Sequence, residues 1–283
     1  MNDNGFTLRF WKPEDRDALK ELWKTGFGDP EEYIESFFDL FLQKDSCIVA
    51  EAEGRVVSAM YILPGQTLYL FRRSSLTAGY TYALATLPEY RGRGIGRAVY
   101  KAASDAVLKA ADAACVLPAE SGLYPFYEAA SGASPLSYVR EARLKKSDLA
   151  AVSPCMGARI PILEYMGIRE QLLRGYPHAA LPPEFFELAE STGTEFFVLE
   201  HGLAAAETSD GVCRVLELLD PDSDDAMTSI AGVARWCRGE EYIVRTPLFF
   251  EGPGQPRPYM LAALNAAPSH PMPGDFWWGF GLE

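Results

Sequence analysis

Apolar and polar positions change period several times along this 283-residue chain, and the changes mark out its elements. Thr7 to Trp11 alternates as a first strand would. Pro13-Glu14-Asp15 then opens a helix, with Pro at an early position and acids in the first turn. Its apolar face is Ala18, Leu19, Leu22, Trp23 and Phe27, and Gly28 ends it. Asp29-Pro30-Glu31-Glu32 gives a second start, with Asp29 as N-cap and Glu32 placed to complete a capping box. Tyr33, Ile34, Phe37, Phe38 and Phe41 form the aromatic face that follows. Cys47 to Glu51 and Val56 to Leu63 predict a strand pair turning at Glu53-Gly54-Arg55. Thr67 to Phe71 extends or follows the second of these, and Leu76 to Leu87 supplies a third strand. Ala98, Val99, Ala102, Ala103, Ala106, Val107 and Ala110 recur at helical spacing, and their small side chains suit close packing on a sheet. Ala114 to Leu117 reads as a short buried strand, Gly122 to Ala130 as a helix, and Ser137 to Lys145 as a returning strand. The first half is thus an α/β unit, a mixed sheet with helices on its faces.

Asp, Ser and Pro break the pattern between Lys146 and Pro154, which sets the expected domains at 1–150 and 151–283. Beyond the break come helices near Leu163 to Leu173 and after Pro182-Pro183-Glu184. Three strands follow, Phe196 to Glu200, Leu203 to Thr208 and Val212 to Leu219, then a helix over Ala226 to Arg235 and a strand over Tyr242 to Thr246. Meander, helix, strand repeats the order of the first half, a duplication of topology. The tail, Tyr259 to Asn265 and Phe276 to Phe280, is strand-like and aromatic, so it is expected to pack.

Composition narrows the class. A hydrophobic share of 48% with 23% charged residues is that of a globular protein. No basic region precedes an apolar run at the N-terminus, and no apolar run is long enough to span a bilayer. The five cysteines are scattered without metal-ligand spacing, and there are only three histidines. These features predict reduced core thiols in a cytoplasmic protein, with no metal site and no membrane partner. A net charge of −13 argues against nucleic acid and is compatible with a cationic or amine substrate, as well as with solubility alone.

The candidate chemistry lies between the third strand and the Ala-rich helix, at Arg91-Gly92-Arg93-Gly94-Ile95-Gly96-Arg97. Glycines let backbone approach a ligand closely, and a helix start carries N–H groups without intrahelical acceptors. Together with the helix dipole and the arginines, they predict a phosphate cradle. A dinucleotide-binding Rossmann site would instead open a βαβ unit, whereas this loop follows a meander.

The order of elements and the loop resemble the GNAT N-acyltransferase superfamily, whose signature of Gln or Arg, two variable residues, Gly, one variable residue, and Gly or Ala is matched by Arg91, Gly94 and Gly96. Leu87-Pro88-Glu89-Tyr90 before it is also typical of that family, and the resemblance covers roughly residues 6 to 146. The second half, which lacks the Arg/Gly loop, is similar to the degenerate partner in tandem acetyltransferases of the enhanced-intracellular-survival type. The implied fold is a GNAT-like domain followed by a degenerate GNAT-like domain. The implied donor is acetyl-coenzyme A or another acyl-coenzyme A, with its pyrophosphate on Arg91, Gly92, Arg93, Gly94, Ile95, Gly96 and Arg97. Its pantetheine would pair with the strand edge at Leu84, Ala85, Thr86 and Leu87, where one N–H could polarise the thioester carbonyl.

The resemblance also implies a tyrosine acid for the departing thiolate. Leu123-Tyr124-Pro125-Phe126-Tyr127-Glu128 resembles the family's Phe-Tyr element, with Tyr127 the first choice and Tyr124 the second. The sequence departs from the usual Gly-Phe ending, with Ala129-Ala130-Ser131-Gly132-Ala133 in its place. Glu120 is the candidate base, through burial beside the thioester, or else a surface acid near the next helix; a water chain would need no base. Tyr80, Tyr82, Trp23, Phe27 and Tyr33 either line an acceptor pocket or belong to the core, and the Glu283 carboxylate is a further candidate for the site. The leading expectation is transfer to a small-molecule amine, with a homodimer left open. Transfer to a protein Lys or N-terminus, and a non-catalytic acyl-coenzyme A sensor, are the alternatives.

Overall fold

The computed structural model describes residues 5–70, 74–221, 226–265 and 274–282, with Pro64 described in its backbone alone. In chain order the elements are β1 (Thr7–Phe10), α1 (Arg16–Phe27), α2 (Glu31–Phe41), β2 (Cys47–Ala52), β3 (Arg55–Tyr69), β4 (Ser75–Thr86), α3 (Ile95–Leu108), β5 (Ala113–Val116), α4 (Tyr124–Ser131), β6 (Ser134–Pro135) and β7 (Tyr138–Lys145). There follow α5 (Lys146–Leu149), β8 (Gly157–Arg159), α6 (Ile162–Leu172), β9 (His178–Ala180), α7 (Pro183–Ser191), β10 (Glu195–Leu199), β11 (Leu203–Ser209), β12 (Val212–Leu219), α8 (Ala226–Val233), β13 (Glu241–Thr246), β14 (Gln255–Pro258) and β15 (Leu261–Leu264).

Helix α1 buries Leu19, Leu22 and Trp23, and Gly28 closes it in the left-handed region with its N–H on the Lys24 carbonyl. The cap expected of Asp29 does not form. Helix α2 starts after Pro30 without a side-chain cap, and the Asp29 carboxylate accepts instead from Trp23 Nε1 at 2.8 Å. Water can satisfy an exposed helix start, whereas an indole N–H in a core needs a protein partner, so the tertiary bond prevails.

One sheet runs β1-β2-β3-β4-β5-β15-β6, with β9 pairing on the far end of β3; the other runs β14-β7-β13-β12-β11-β10-β8. Aromatics from α1 and α2 pack on one face of the first sheet, and α3 and α4 cover the other. In both halves an antiparallel meander, a helix and a parallel strand follow one another: β4 pairs β5 over Ala78–Thr81, and β12 pairs β13 over Val212–Val215. The duplication seen in the sequence is therefore present in the topology.

The sheets do not divide the chain at residue 150. Strand β7, expected in the first half, lies in the second sheet against β13, while β15 returns from the C-terminal half to sit between β5 and β6. The tail seals this arrangement, with Phe276, Trp277, Trp278 and Phe280 all buried. Beneath it, Glu217 accepts from Arg169 Nε at 3.0 Å, Tyr165 Oη at 2.6 Å and Trp277 Nε1 at 2.7 Å, while Arg169 donates to the Ala179 carbonyl. A fully buried ion pair is tolerable only when its remaining hydrogen-bonding capacity is largely met, as it is around this carboxylate. All five cysteines are buried and unbridged. Among the described residues no helix is long and apolar enough to cross a membrane, and no group of side chains is arranged to hold a metal.

Candidate active site

Strand β4 organises the site. It pairs with β5 only as far as Thr81↔Val116, yet continues along β3 to Thr86↔Ser58, so the edge from Tyr82 to Thr86 has no strand beside it on the β5 side. The register with β3 shifts between Ala59 and Tyr61, and opposite this bulge Ala83 adopts φ 53°. Such a conformation costs an alanine about 1 kcal/mol, and the bulge bends the strand away from its neighbour. The Ser58 hydroxyl bonds the Ala85 carbonyl and the Thr86 hydroxyl, fixing the bent segment from the β3 side.

Past a short turn at Pro88–Tyr90, Gly92 and Gly94 take φ 75° and 76° with open space where a Cβ would stand. The conformation requires these two glycines. Gly96 serves a different need: its Cβ would meet the Thr86 hydroxyl at 3.1 Å, so the first turn of α3 lies against the free edge of β4. No side chain caps α3, and its first helical bond runs from Ala98 N–H to the Gly94 carbonyl. The N–H groups of Ile95, Gly96 and Arg97 therefore have no intrahelical acceptor. Arg91 Nε donates to the Thr86 carbonyl and Arg97 to the Ala129 carbonyl, so both guanidiniums are fixed at the rim with no carboxylate pairing them among the described residues. A cleft of about 490 Å³ results, lined by Leu84, Ala85, Thr86, Arg91, Gly92, Gly94, Ile95, Gly96 and Arg97. Leu87 and Arg93 are outside it: Leu87 N–H pairs with the Val57 carbonyl, and the Arg93 guanidinium lies over the Tyr90 ring at 5.1 Å and donates to Glu89.

The cleft also takes in Gly26, Tyr90, Leu123 and Phe126, which sequence reasoning missed. Gly26 carried a signal. A glycine within a helix costs about 1 kcal/mol relative to alanine, and here it lets α1 approach β4, since its Cβ would meet that of Ala85 at 2.9 Å.

A second cavity, about 300 Å³, joins the first at Leu84, Leu123 and Tyr127, which line both. Met60 and Val116 in its wall belong to the α3 side of the sheet, whereas Trp23 and Tyr82 belong to the α1–α2 side. The cavity thus passes through the sheet where β4 and β5 part. Tyr127 packs edge-on against Tyr100 and Phe126, and its hydroxyl has no hydrogen-bond partner among the described residues. Burial pushes this hydroxyl up to about 12, with Tyr100 adding to the shift, so it keeps its proton at neutral pH. Asp29 is the one carboxylate in the described wall of the second cavity.

The remaining candidates separate clearly. Trp23, Phe27 and Tyr82 line the second cavity. Tyr33 shares a hydroxyl–hydroxyl bond of 2.9 Å with Tyr82, and burial raises both, Tyr33 to about 12. Tyr80 is core, its hydroxyl on the Leu282 carbonyl. Tyr124 is not brought to either cavity; its hydroxyl faces the Pro258 and Tyr259 carbonyls at 2.9 and 2.8 Å, tying α4 to the segment entering β15. Glu120 is exposed and lines neither cavity, because the chain turns outward after Pro118 and the burial expected around it is missing. Glu283 lies outside the described residues, although Leu282 reaches the second cavity.

Comparison with known proteins bears on this geometry. Residues 7–130 match the family model described as Acetyltransferase (GNAT) domain. The fold is similar to a GCN5-related N-acetyltransferase from Kribbella flavida, with TM-score 0.68 and 15% identity over 92% of this chain and 72% of that one. It is likewise similar to Eis1 from Mycobacterium abscessus, with TM-score 0.63 and 13% identity over 91% and 73% of the two chains. A GCN5-related N-acetyltransferase from Anabaena variabilis gives TM-score 0.68 and 12% identity over 92% and 72%. No curated protein sequence matches significantly. The match to the GNAT acetyltransferase domain model lies within residues 7–130, and the similarity of fold to these N-acetyltransferases extends through the second sheet.

Proposed function

We propose that this protein transfers an acetyl or other acyl group from its coenzyme A thioester to a primary amine of a small-molecule acceptor, with Tyr127 as general acid. One observation carries the reading: the unpartnered, protonated hydroxyl of Tyr127 stands in the wall common to the two cavities. A donor in one cavity and an acceptor in the other would meet beside it.

The first cavity suits a coenzyme A donor. The uncapped N–H groups of Ile95 to Arg97, with Arg91 and Arg97, favour pyrophosphate oxygens. The strandless edge of β4 from Tyr82 to Thr86 offers backbone groups to pantetheine amides. From the Phe27 side of the second cavity, Asp29 attracts an ammonium and holds the acceptor while it loses a proton to water. The neutral amine attacks the thioester carbonyl, the carbon–sulfur bond breaks, and Tyr127 gives its proton to the thiolate. A cavity of about 300 Å³ walled by Trp23 and Leu282 favours a small acceptor over a folded protein.

Calorimetric titration with acetyl-coenzyme A, paired with thiol release over a panel of amines, tests this. Replacing Arg91 and Arg97 together by Ala should weaken donor binding by at least tenfold, since each charged hydrogen bond contributes about 1.5 kcal/mol. Unchanged affinity would overturn the donor assignment. Donor binding with no turnover on any amine would favour the sensor reading.

A further inference from the structure

We infer that the donor carries an acyl chain longer than acetyl, of three to four carbons, and that Met60 and Val116 set its length. The inference rests on the acyltransferase reading above and specifies the donor within it.

The second cavity is chemically uneven. Towards Phe27 it presents Asp29 and the Tyr82 hydroxyl. On the other side of the sheet it presents Met60, Val116 and Leu123, with Met60 and Val116 almost wholly buried. The Thr81 hydroxyl, also of the cavity wall, already donates to the Cys115 carbonyl at 3.0 Å. Beyond the Tyr127 hydroxyl at its rim, the apolar side chains there offer a polar acceptor little to bond, and an amine would lose hydration with little return. Alkyl carbon suits it. The end opens from the wall that Leu84 and Tyr127 share with the donor cleft, so a chain attached to a carbonyl beside Tyr127 would lead into it.

Size points the same way. With the acceptor at the Asp29 end of this cavity of about 300 Å³, a methyl group alone would leave the Met60 and Val116 end without contact, and close packing favours a chain that reaches it. The walls are stiff: Met60 sits mid-strand in β3 and Val116 ends β5, both almost wholly buried.

The test measures kcat/KM for acetyl-, propionyl-, butyryl- and hexanoyl-coenzyme A with one amine, alongside calorimetric binding of each thioester. Each added methylene up to butyryl should raise kcat/KM about fourfold, the fold-change equivalent of about 0.8 kcal/mol per buried CH₂, with a fall at hexanoyl. Met60→Phe and, separately, Val116→Phe should lower the butyryl-to-acetyl ratio at least tenfold; a ratio cancels any general loss of folded enzyme. An acetyl-first series in which every added carbon lowers kcat/KM overturns the inference while leaving the acyltransferase reading intact. So does a ratio unmoved in a folded Met60→Phe variant. If no thioester binds, both fall.

Discussion

Replacing Tyr127 by Phe removes one oxygen atom and should separate catalysis from folding. The hydroxyl bonds nothing among the described residues, and the ring contacts with Tyr100 at 4.8 Å and Phe126 at 5.1 Å survive the change. Thermal stability should therefore shift by less than about 0.5 kcal/mol. The donor's phosphate contacts lie elsewhere in the cleft, so the Kd for acetyl-coenzyme A should stay within about twofold. Loss of a positioned proton donor costs about 10²- to 10⁴-fold in rate, which is about 2.7 to 5.4 kcal/mol of barrier. Steady-state thiol release gives kcat and calorimetry gives the donor Kd. Because Tyr127 is pushed up to about 12, the wild-type rate should show no alkaline decline from this group below about pH 11. Tyr124→Phe is the matched control. Its hydroxyl serves the Pro258 and Tyr259 carbonyls, so the loss should be about 1 kcal/mol of stability with the rate preserved. A Tyr127→Phe kcat within threefold of wild type would refute the assignment.

Arg169→Met should destabilise the protein by about 3 to 5 kcal/mol in urea denaturation, because it leaves Glu217 buried without its cation. Adding Glu217→Gln should recover most of that loss, and no recovery would mean that the pair is not the source. Tyr33, Tyr100 and Tyr127 each lie at about 12 in the folded protein, chiefly through burial, against about 10 for an unfolded tyrosine. The folded state then holds more protons, so stability is intact below pH 10 and falls as pH rises through 10 to 12. Denaturation midpoints should be flat to about pH 9 and drop steeply beyond 10, and a flat profile to pH 11 would contradict the burial of these hydroxyls.

Periodicity told which residues face a core, and that much of the fold was legible. The faces of α1 and α2, the meanders and the Ala-rich α3 lie where the pattern predicts. It could not tell which strand lies beside which. Ser137 to Lys145 reads as a returning strand in either sheet, and only long-range pairing puts β7 against β13 and β15 against β5. The same division runs through the site. The Arg/Gly loop was legible because backbone conformation demands its glycines locally. Asp29 was misread as a cap because its real partner, the Trp23 indole, is a tertiary contact that outcompetes a local one. Glu120 and Tyr124 carried suitable chemistry but the wrong direction, which depends on how the chain leaves Pro118 and where β15 arrives. Met60 had no signal at all, since its role arises from a gap between two other strands.

The placement of β15 has a consequence for biosynthesis. Strand β5 ends at Val116, and the strand that completes its outer side begins at Leu261. At the usual elongation rates of about 5 to 20 residues per second, the ribosome takes roughly 7 to 30 s to cover that interval. Throughout it, the nascent first sheet presents β5 as an open edge next to the donor cleft, a template for pairing with another chain. Among the described residues, the last strand to emerge is thus the one that shields the sheet made first, and a message truncated before residue 261 would yield a chain whose Arg/Gly loop is encoded in full but whose sheet is left unsealed.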